Sequence, residues 1–335
     1  MSQPYLSIVI PVLNEADNLK QLFDRLFTIL GQTGKSFEIV VVDDGSTDQT
    51  LQVALAIQKE RGKITVIELS RNFGKEAALT AGLQHSAGAG VITIDADLQD
   101  PPELILEMIA KWEAGSEVVT AVRSDRDSDT FRKRQTAKAF YWLMERISNI
   151  RVQPNAGDYR LFDRKAVNAL LSLPERSRFN KGLFAWIGFK TAVVYHAREA
   201  RNAGSSQFNF NKLFALAVDG ITSFSIAPLR IFSWLGLLTA LFAFAYGAYI
   251  FLRTLFYGAD LPGYASIFVV IMFFGGLNLI GIGLLGEYIG RIFIETKQRP
   301  LYLISHVYAG REPSTEYATP EHTRKLTTNA RQMNK

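Results

Sequence analysis

Residues 231–252 contain no charged side chain, and neither do residues 264–286. A helix needs roughly 20 predominantly apolar residues to cross the hydrocarbon core of a bilayer, and both runs meet that length. Helices apolar on every side have no face to offer water. The sequence therefore predicts transmembrane helices at 230–253 and 264–288, joined by the short "RTLFYGADLPG" connection. Before them, Phe210, Leu213, Phe214, Ala217, Ile221 and Phe224 recur at helical spacing, which predicts an amphipathic interfacial helix at 210–229. Arg230, Arg291, Lys297 and Arg299 flank the outer ends of the pair, and Arg253 is the basic residue of the connection. This asymmetry places both ends in the cytosol, so the expectation is an integral protein of the plasma (inner) membrane. The first residues lack the basic start and cleavage site of a signal peptide. Residues 289–335 are expected to form a cytosolic segment, disordered towards the end.

The first 209 residues read differently. "LSIVIPVL", "FEIVVVDDG", "KITVIEL", "GVITIDAD" and "SEVVTAVR" are Val- and Ile-rich runs separated by stretches of helical spacing, such as "EADNLKQLFDRLFTIL" and "PPELILEMIAKWEAG". That alternation predicts an α/β domain with a mainly parallel sheet. Such sheets bind ligands at the carboxyl ends of their strands. Polar clusters stand at those ends: Asn14-Glu15, Asp43-Asp44-Gly45-Ser46, Ser70-Arg71-Asn72 and Asp95-Asp97. "FKTAVVYHAREARNAGSSQF" reads as one further strand and a loop, whereas "NAGDYRLFDRKAV" lies in a stretch read only as polar and basic.

In "VITIDADLQDPPE", Asp95, Asp97, Asp100 and Glu103 crowd into nine residues. Crowded carboxylates need a positive partner. Asp95 and Asp97 share a face of an extended strand and can aim at one ion, and hard oxygen ligands suit Mg²⁺ or Mn²⁺. No cysteine is present, which excludes disulfides and thiolate metal sites, and the four histidines are scattered and receive no chemistry. The formal charge of +5 suits an anionic ligand or membrane surface, and no nucleic-acid-binding motif accompanies it. Neither a GxGxxG nor a P-loop is found.

"IVIPVLNEADN", "IVVVDDGSTDQT", "LSRNFGKEAALTAGL" and "TIDADLQDPPE" resemble the family 2 glycosyltransferases of GT-A (Rossmann-like) fold. "AGDYRLFDR", the "REARNAGSSQF" loop and the two terminal membrane helices narrow the resemblance to polyprenyl-phosphate glycosyltransferases, over about residues 5 to 300. This group includes GtrB-like glucosyltransferases and dolichol-phosphate mannose synthases. The resemblance implies that Pro11, Glu15 and Asp44 hold the nucleoside, that Asn72, Gly74 and Lys75 close the nucleotide pocket, and that Asp95, Asp97 and Gln99 contact ribose and metal. It places Asp158 at the position of the family's base, where it can instead orient acceptor or sugar, and Arg123, Arg132, Arg134 and Arg201 among the cations for an acceptor phosphate. The implied reaction is inverting transfer of one sugar, glucose from UDP-glucose first and mannose from GDP-mannose second, to a polyprenyl phosphate such as undecaprenyl phosphate. The implied partners are thus a nucleotide sugar, the lipid carrier and the membrane, with homo-oligomerisation left open.

One departure stands out: Gln207 takes the place of a lysine usual in the family's "R-x-x-G-x-S-K-aromatic" loop. A processive polysaccharide synthase would carry Q-x-x-R-W and more spans, and this sequence has no Arg-Trp pair. A membrane nucleotidyltransferase would need a glycine-rich loop after the first strand. A non-enzymatic scaffold would have lost the acidic ligands, which are present.

Overall fold

The structure, a computed structural model, describes residues 3–123, 153, 156–176, 178, 180–196, 225–258 and 263–310. Arg132, Arg134, Arg201, Gln207 and residues 210–224 of the expected interfacial helix lie outside these residues.

Strands and helices alternate as the apolar runs predict. β1 (Leu6–Val12) leads to α1 (Ala16–Gln32), β2 (Phe37–Asp43) to α2 (Thr50–Arg61), β3 (Ile64–Leu69) to α3 (Lys75–His85), β4 (Gly90–Thr93) to α4 (Leu104–Glu113), and β5 (Val118–Arg123) follows. Then come β6 (Ala156–Asp163), α5 (Arg164–Ser172), α6 (Asn180–Trp186) and β7 (Thr191–His196). Among the described residues the strands form one eight-stranded sheet in the order β7-β5-β6-β4-β1-β2-β3-β8, with β8 at Ile304–Tyr308. β1 pairs parallel with both β2 and β4, and β2 with β3.

β1 is buried along its whole length, as a central parallel strand covered on both faces must be. One face packs on α1, which presents Leu19, Leu22, Phe23, Leu26, Ile29 and Leu30 along one stripe. Burying each such side chain contributes about 1.5–3 kcal/mol before chain entropy is counted. The other face carries Val9, Val40 and Val42 against Ala78, Leu79 and Ala81 of α3. Ser7, the polar residue of β1, is fully buried and satisfied: its hydroxyl donates to Glu38 at 2.6 Å and accepts the Gly88 N–H at 2.7 Å.

β6 runs antiparallel between β4 and β5, so a stretch read as polar from sequence is a central strand. The chain moves from β1 outward through β2 and β3, then returns to lay β4 on β1's other side. The strand order reverses there, and a crevice opens at the carboxyl ends of β1 and β4.

Two long helices follow, α7 (Ala227–Tyr257) and α8 (Tyr264–Lys297), each reaching beyond the predicted spans. Their most apolar windows have mean hydropathies of 1.9 and 2.2 and are almost wholly exposed, which excludes a role as core helices of a soluble domain. Beyond α8 the chain comes back to the eight-stranded sheet. β8 pairs antiparallel with β3, Ser70 N–H donates to Leu303 C=O at 2.9 Å, and Gln58 Nε2 donates to Tyr308 C=O at 2.6 Å. Glu295 near the end of α8 accepts the Arg176 backbone N–H at 2.8 Å, a second stitch between hairpin and sheet domain.

Candidate active site

The crevice at the β1–β4 switch is a cleft of about 250 Å³ lined by Pro11, Glu15, Asp44, Lys75, Asp95 and Asp97, among others. Six of the residues expected to hold nucleotide or metal are therefore brought together from four separate loops.

The loops are locked to one another. Asn14, in the left-handed region at φ 55°, accepts the Thr47 N–H at 2.8 Å, and its own N–H donates to Ser46 Oγ at 3.0 Å. Glu15 N–H donates to Thr50 Oγ1 at 2.8 Å, and its carboxylate accepts from Asn18 at 2.6 Å. Asp43 is buried and accepts both the Ser46 N–H and the Ser46 hydroxyl, which holds the turn. Asp44 is also buried, and its two oxygens accept the N–H groups of Phe73 at 2.7 Å and Gly74 at 2.9 Å. Asp44 thus pins the loop that carries Asn72, Gly74 and Lys75. Burial pushes its acidity towards higher pH, and those N–H groups oppose the shift. Asn72 itself is exposed, and Gly74 sits at φ 97°, a conformation glycine adopts without cost, at the entry to α3.

Lys75 reaches across the cleft. Its ammonium lies 2.7 Å from Asp95 Oδ1 and 2.6 Å from Asp158 Oδ2, joining the end of β4 to the start of β6. Burial alone would lower the Lys75 pKa, but the two carboxylates outweigh it and hold the pKa above its usual value. Burial likewise would raise Asp158, yet Lys75 keeps it below the ordinary carboxylate range. Asp95 goes the other way: burial raises it, and Lys75 offsets this only in part. Asp158 Oδ1 is a buried oxygen with no hydrogen-bond partner among the described residues.

The turn after β4 presents the acidic motif. Leu98 stands at φ 59°, strained for a branched side chain, and Asp97 accepts the Gln99 N–H at 3.2 Å. Asp97 faces the cleft, and Gln99, two residues on, is buried outside the lining of that cleft. For Mg²⁺ or Mn²⁺ the donor set fits: such ions are commonly held by one or two carboxylates plus substrate phosphates, and Asp95 and Asp97 are two carboxylates on one wall. Among the described residues no larger carboxylate–histidine cluster competes for an ion.

Three residues without an assigned role in the sequence belong to the surroundings of the site. Asp100, buried beneath the turn, accepts from His196 Nε2 at 3.2 Å and lies 3.4 Å from Arg123 Nη2. Burial would raise Asp100, but His196 and Arg123 hold it below the usual range. Glu76 follows Lys75 and accepts the Asn180 N–H at 3.3 Å. Burial, reinforced by the nearby charge of Asp158, pushes Glu76 up to about 7.

Residues 7–171 match the family described as Glycosyl transferase family 2, and residues 227–292 match the GtrB C-terminal hairpin. An uncharacterised glycosyltransferase of Synechocystis is 48% identical over 90% of this chain and 95% of its own. The chain belongs to the family 2 glycosyltransferases. Two further relatives fall in the same range. A prophage bactoprenol glucosyl transferase homolog of Escherichia coli is 45% identical over 90% of this chain and 99% of its own, and the bactoprenol glucosyl transferase of Shigella phage SfV is 46% identical over 90% and 98%. The mainly parallel sheet is the GT-A architecture expected of this glycosyltransferase, and the paired helices make it membrane-associated.

Proposed function

We propose that this glycosyltransferase moves glucose from UDP-glucose to a polyprenyl phosphate such as undecaprenyl phosphate, at the cytosolic face of the membrane and with inversion. The observation that carries the reading is the Lys75 bridge. It sets an acidic wall at β4, suited to a nucleoside diphosphate and its cation, 2.6–2.7 Å on either side of one ammonium from Asp158 at β6. The sheet bearing this cleft is stitched through β8 and Glu295 to a hairpin long and apolar enough to span a bilayer. Close relatives named for bactoprenol glucosyl transfer agree with it.

In the reaction an acceptor phosphate oxygen attacks the anomeric carbon as the bond to the diphosphate breaks. Asp95 and Asp97 would hold Mg²⁺ or Mn²⁺, which when bound supplies positive charge against the leaving diphosphate. Pro11 and Glu15 sit where the nucleoside would lie, and Asp44 acts by shaping the Phe73–Gly74 loop. A phosphate monoester has a second pKa near 6 and is largely ionised at neutral pH. Asp158, kept acidic by Lys75, is a weak proton acceptor and serves to orient the acceptor and to hold Lys75.

The test is transfer by the full chain in nanodiscs containing undecaprenyl phosphate, supplied with radiolabelled UDP-glucose, GDP-mannose and UDP-N-acetylglucosamine in turn. Labelled lipid from UDP-glucose supports the reading. Label from GDP-mannose alone replaces the donor with mannose, and no labelled lipid from any donor rejects it.

A further inference from the structure

His196 ends β7 and lies beside Arg123, its register partner at the end of β5. The side chains of His196 and Asp100 are each only 3% exposed, and His196 Nε2 stands 3.2 Å from Asp100 Oδ1. A buried imidazole this close to a buried carboxylate is there to satisfy it, since an unpaired carboxylate in the interior is costly. The same carboxylate oxygen is 3.4 Å from Nη2 of Arg123, whose side chain is 31% exposed. That contact is long and uses one of the guanidinium's five N–H donors. Arg123 therefore stands at the carboxyl edge of the sheet, next to the start of β6, where Val122 pairs with Ala156 two residues before Asp158. A partly exposed guanidinium with donors to spare, on the Asp158 side of the cleft, suits a phosphate.

We propose that His196 is a positioning residue that acts through Asp100 to aim Arg123 at the phosphate of the acceptor; this rests on the reading of the cleft as a site of transfer to a lipid phosphate. The mechanism is a division of one carboxylate between two donors. With His196 in place, Asp100 is already hydrogen-bonded and holds Arg123 at arm's length. Without it, Asp100 is left to Arg123 alone, and the guanidinium is drawn down into the ion pair and away from the cleft. Tyr159, beside Asp158, donates its hydroxyl to Pro101 C=O at 3.2 Å, so the segment bearing Asp100 has little freedom to move instead.

The experiment compares wild type with His196→Ala, His196→Gln and His196→Asn in nanodiscs, titrating UDP-glucose and undecaprenyl phosphate separately. The amide nitrogen of glutamine falls near the place of imidazole Nε2, and that of asparagine stops short of it. Expected are a rise of about tenfold in acceptor KM for the alanine and asparagine variants, the scale of one lost hydrogen bond to a charge. The donor KM should not move, and glutamine should restore the acceptor KM to within about threefold of wild type. The proposal is overturned if the acceptor KM of the alanine and asparagine variants equals that of wild type, if donor and acceptor KM rise together, or if glutamine fails as badly as asparagine. Should the alanine variant not fold, the contrast between glutamine and asparagine decides the same question. Absence of any wild-type transfer would reject the functional reading itself, whereas wild-type transfer with an unmoved acceptor KM rejects only the role of His196.

Discussion

The ammonium of Lys75 lies 2.6 Å from Oδ2 of Asp158, across the cleft from the loop that positions it. It also lies 2.7 Å from Oδ1 of Asp95, so one cation joins the strand of the acidic motif to the strand expected to face the acceptor. Replacing it with an apolar side chain of similar length removes the one ammonium that bridges the two carboxylates and leaves Asp158 only the more distant charges of Lys181 and Arg160.

Lys75→Met is therefore expected to lower transfer at least about 100-fold, the scale of losing one preorganised electrostatic group. The sign of the accompanying pH effect follows from Lys75 holding Asp158 acidic: without it the Asp158 pKa rises. The acid limb of the rate profile should move to higher pH. Initial rates across pH 5 to 9 measure both, and wild-type rates in the variant would remove Lys75 from the chemistry.

Asp97 lines the cleft at the end of β4 and accepts the Gln99 N–H of its own turn. Asp97→Asn should weaken Mn²⁺ binding and reduce transfer by about 100-fold or more, while the circular dichroism spectrum stays that of wild type. Electron paramagnetic resonance of added Mn²⁺ reads the binding directly. Undiminished affinity would move the ion away from the motif.

Glu76 gives a stability prediction with a definite sign. Its folded pKa of about 7 is above the ordinary value of 4.5, so folding takes up a proton between those two pH values. The cost of burying its charge is absent below pH 4.5, grows as pH rises, and is complete above 7. Glu76→Gln removes that cost. The variant should melt a few degrees above wild type at pH 8, corresponding to about 1 kcal/mol after allowing for solvent screening, and alongside it at pH 4.5. A constant difference at both pH values would show that the carboxylate is not the cause.

How much of this was legible beforehand depended on whether a residue's partner was local. β1 to β5 announce themselves as short Val- and Ile-rich runs because strands covered on both faces are apolar throughout, and β7, an edge strand only partly buried, is legible from Val193 and Val194. β6 did not, because Arg160 sits in its middle. The structure buries that side chain and lays its guanidinium 4.8 Å from the Phe184 ring centre, an arrangement no strand pattern encodes. β8 was hidden for the opposite reason: it is an edge strand, mostly exposed, whose pairing with β3 is more than 230 residues away in sequence. In the site, the acidic motif and the Asp44 and Lys75 positions were readable from strand ends and from family resemblance. His196 was not, since Asp100 is 96 residues from it and the sequence showed only four scattered histidines.

Gly45 ties the turn after β2 to the nucleotide-side loop, and its replacement tests that tie. It stands at φ 72°, and a Cβ added there would come within 2.6 Å of the Arg71 carbonyl carbon and the Asn72 nitrogen. Both are backbone atoms and cannot swing aside. The neighbouring Phe73 and Gly74 N–H groups are held by Asp44, so the loop cannot retreat without breaking those bonds. Gly45→Ala should therefore cost about 2 kcal/mol or more, from strain and displacement together. It should also weaken UDP binding, because the displaced segment leads directly into Gly74 and Lys75. Gly34 supplies the control: it has a similar φ of 62°, but an added Cβ meets nothing within 4 Å. Gly34→Ala should cost only about 1 kcal/mol, the strain of the left-handed conformation alone, and should leave UDP affinity unchanged. Thermal melting and calorimetric UDP titration of the two variants separate the terms. Equal losses of stability and unaltered affinity in both would mean that the loop yields freely, and that the packing of Gly45 against Arg71 does not set the nucleotide pocket.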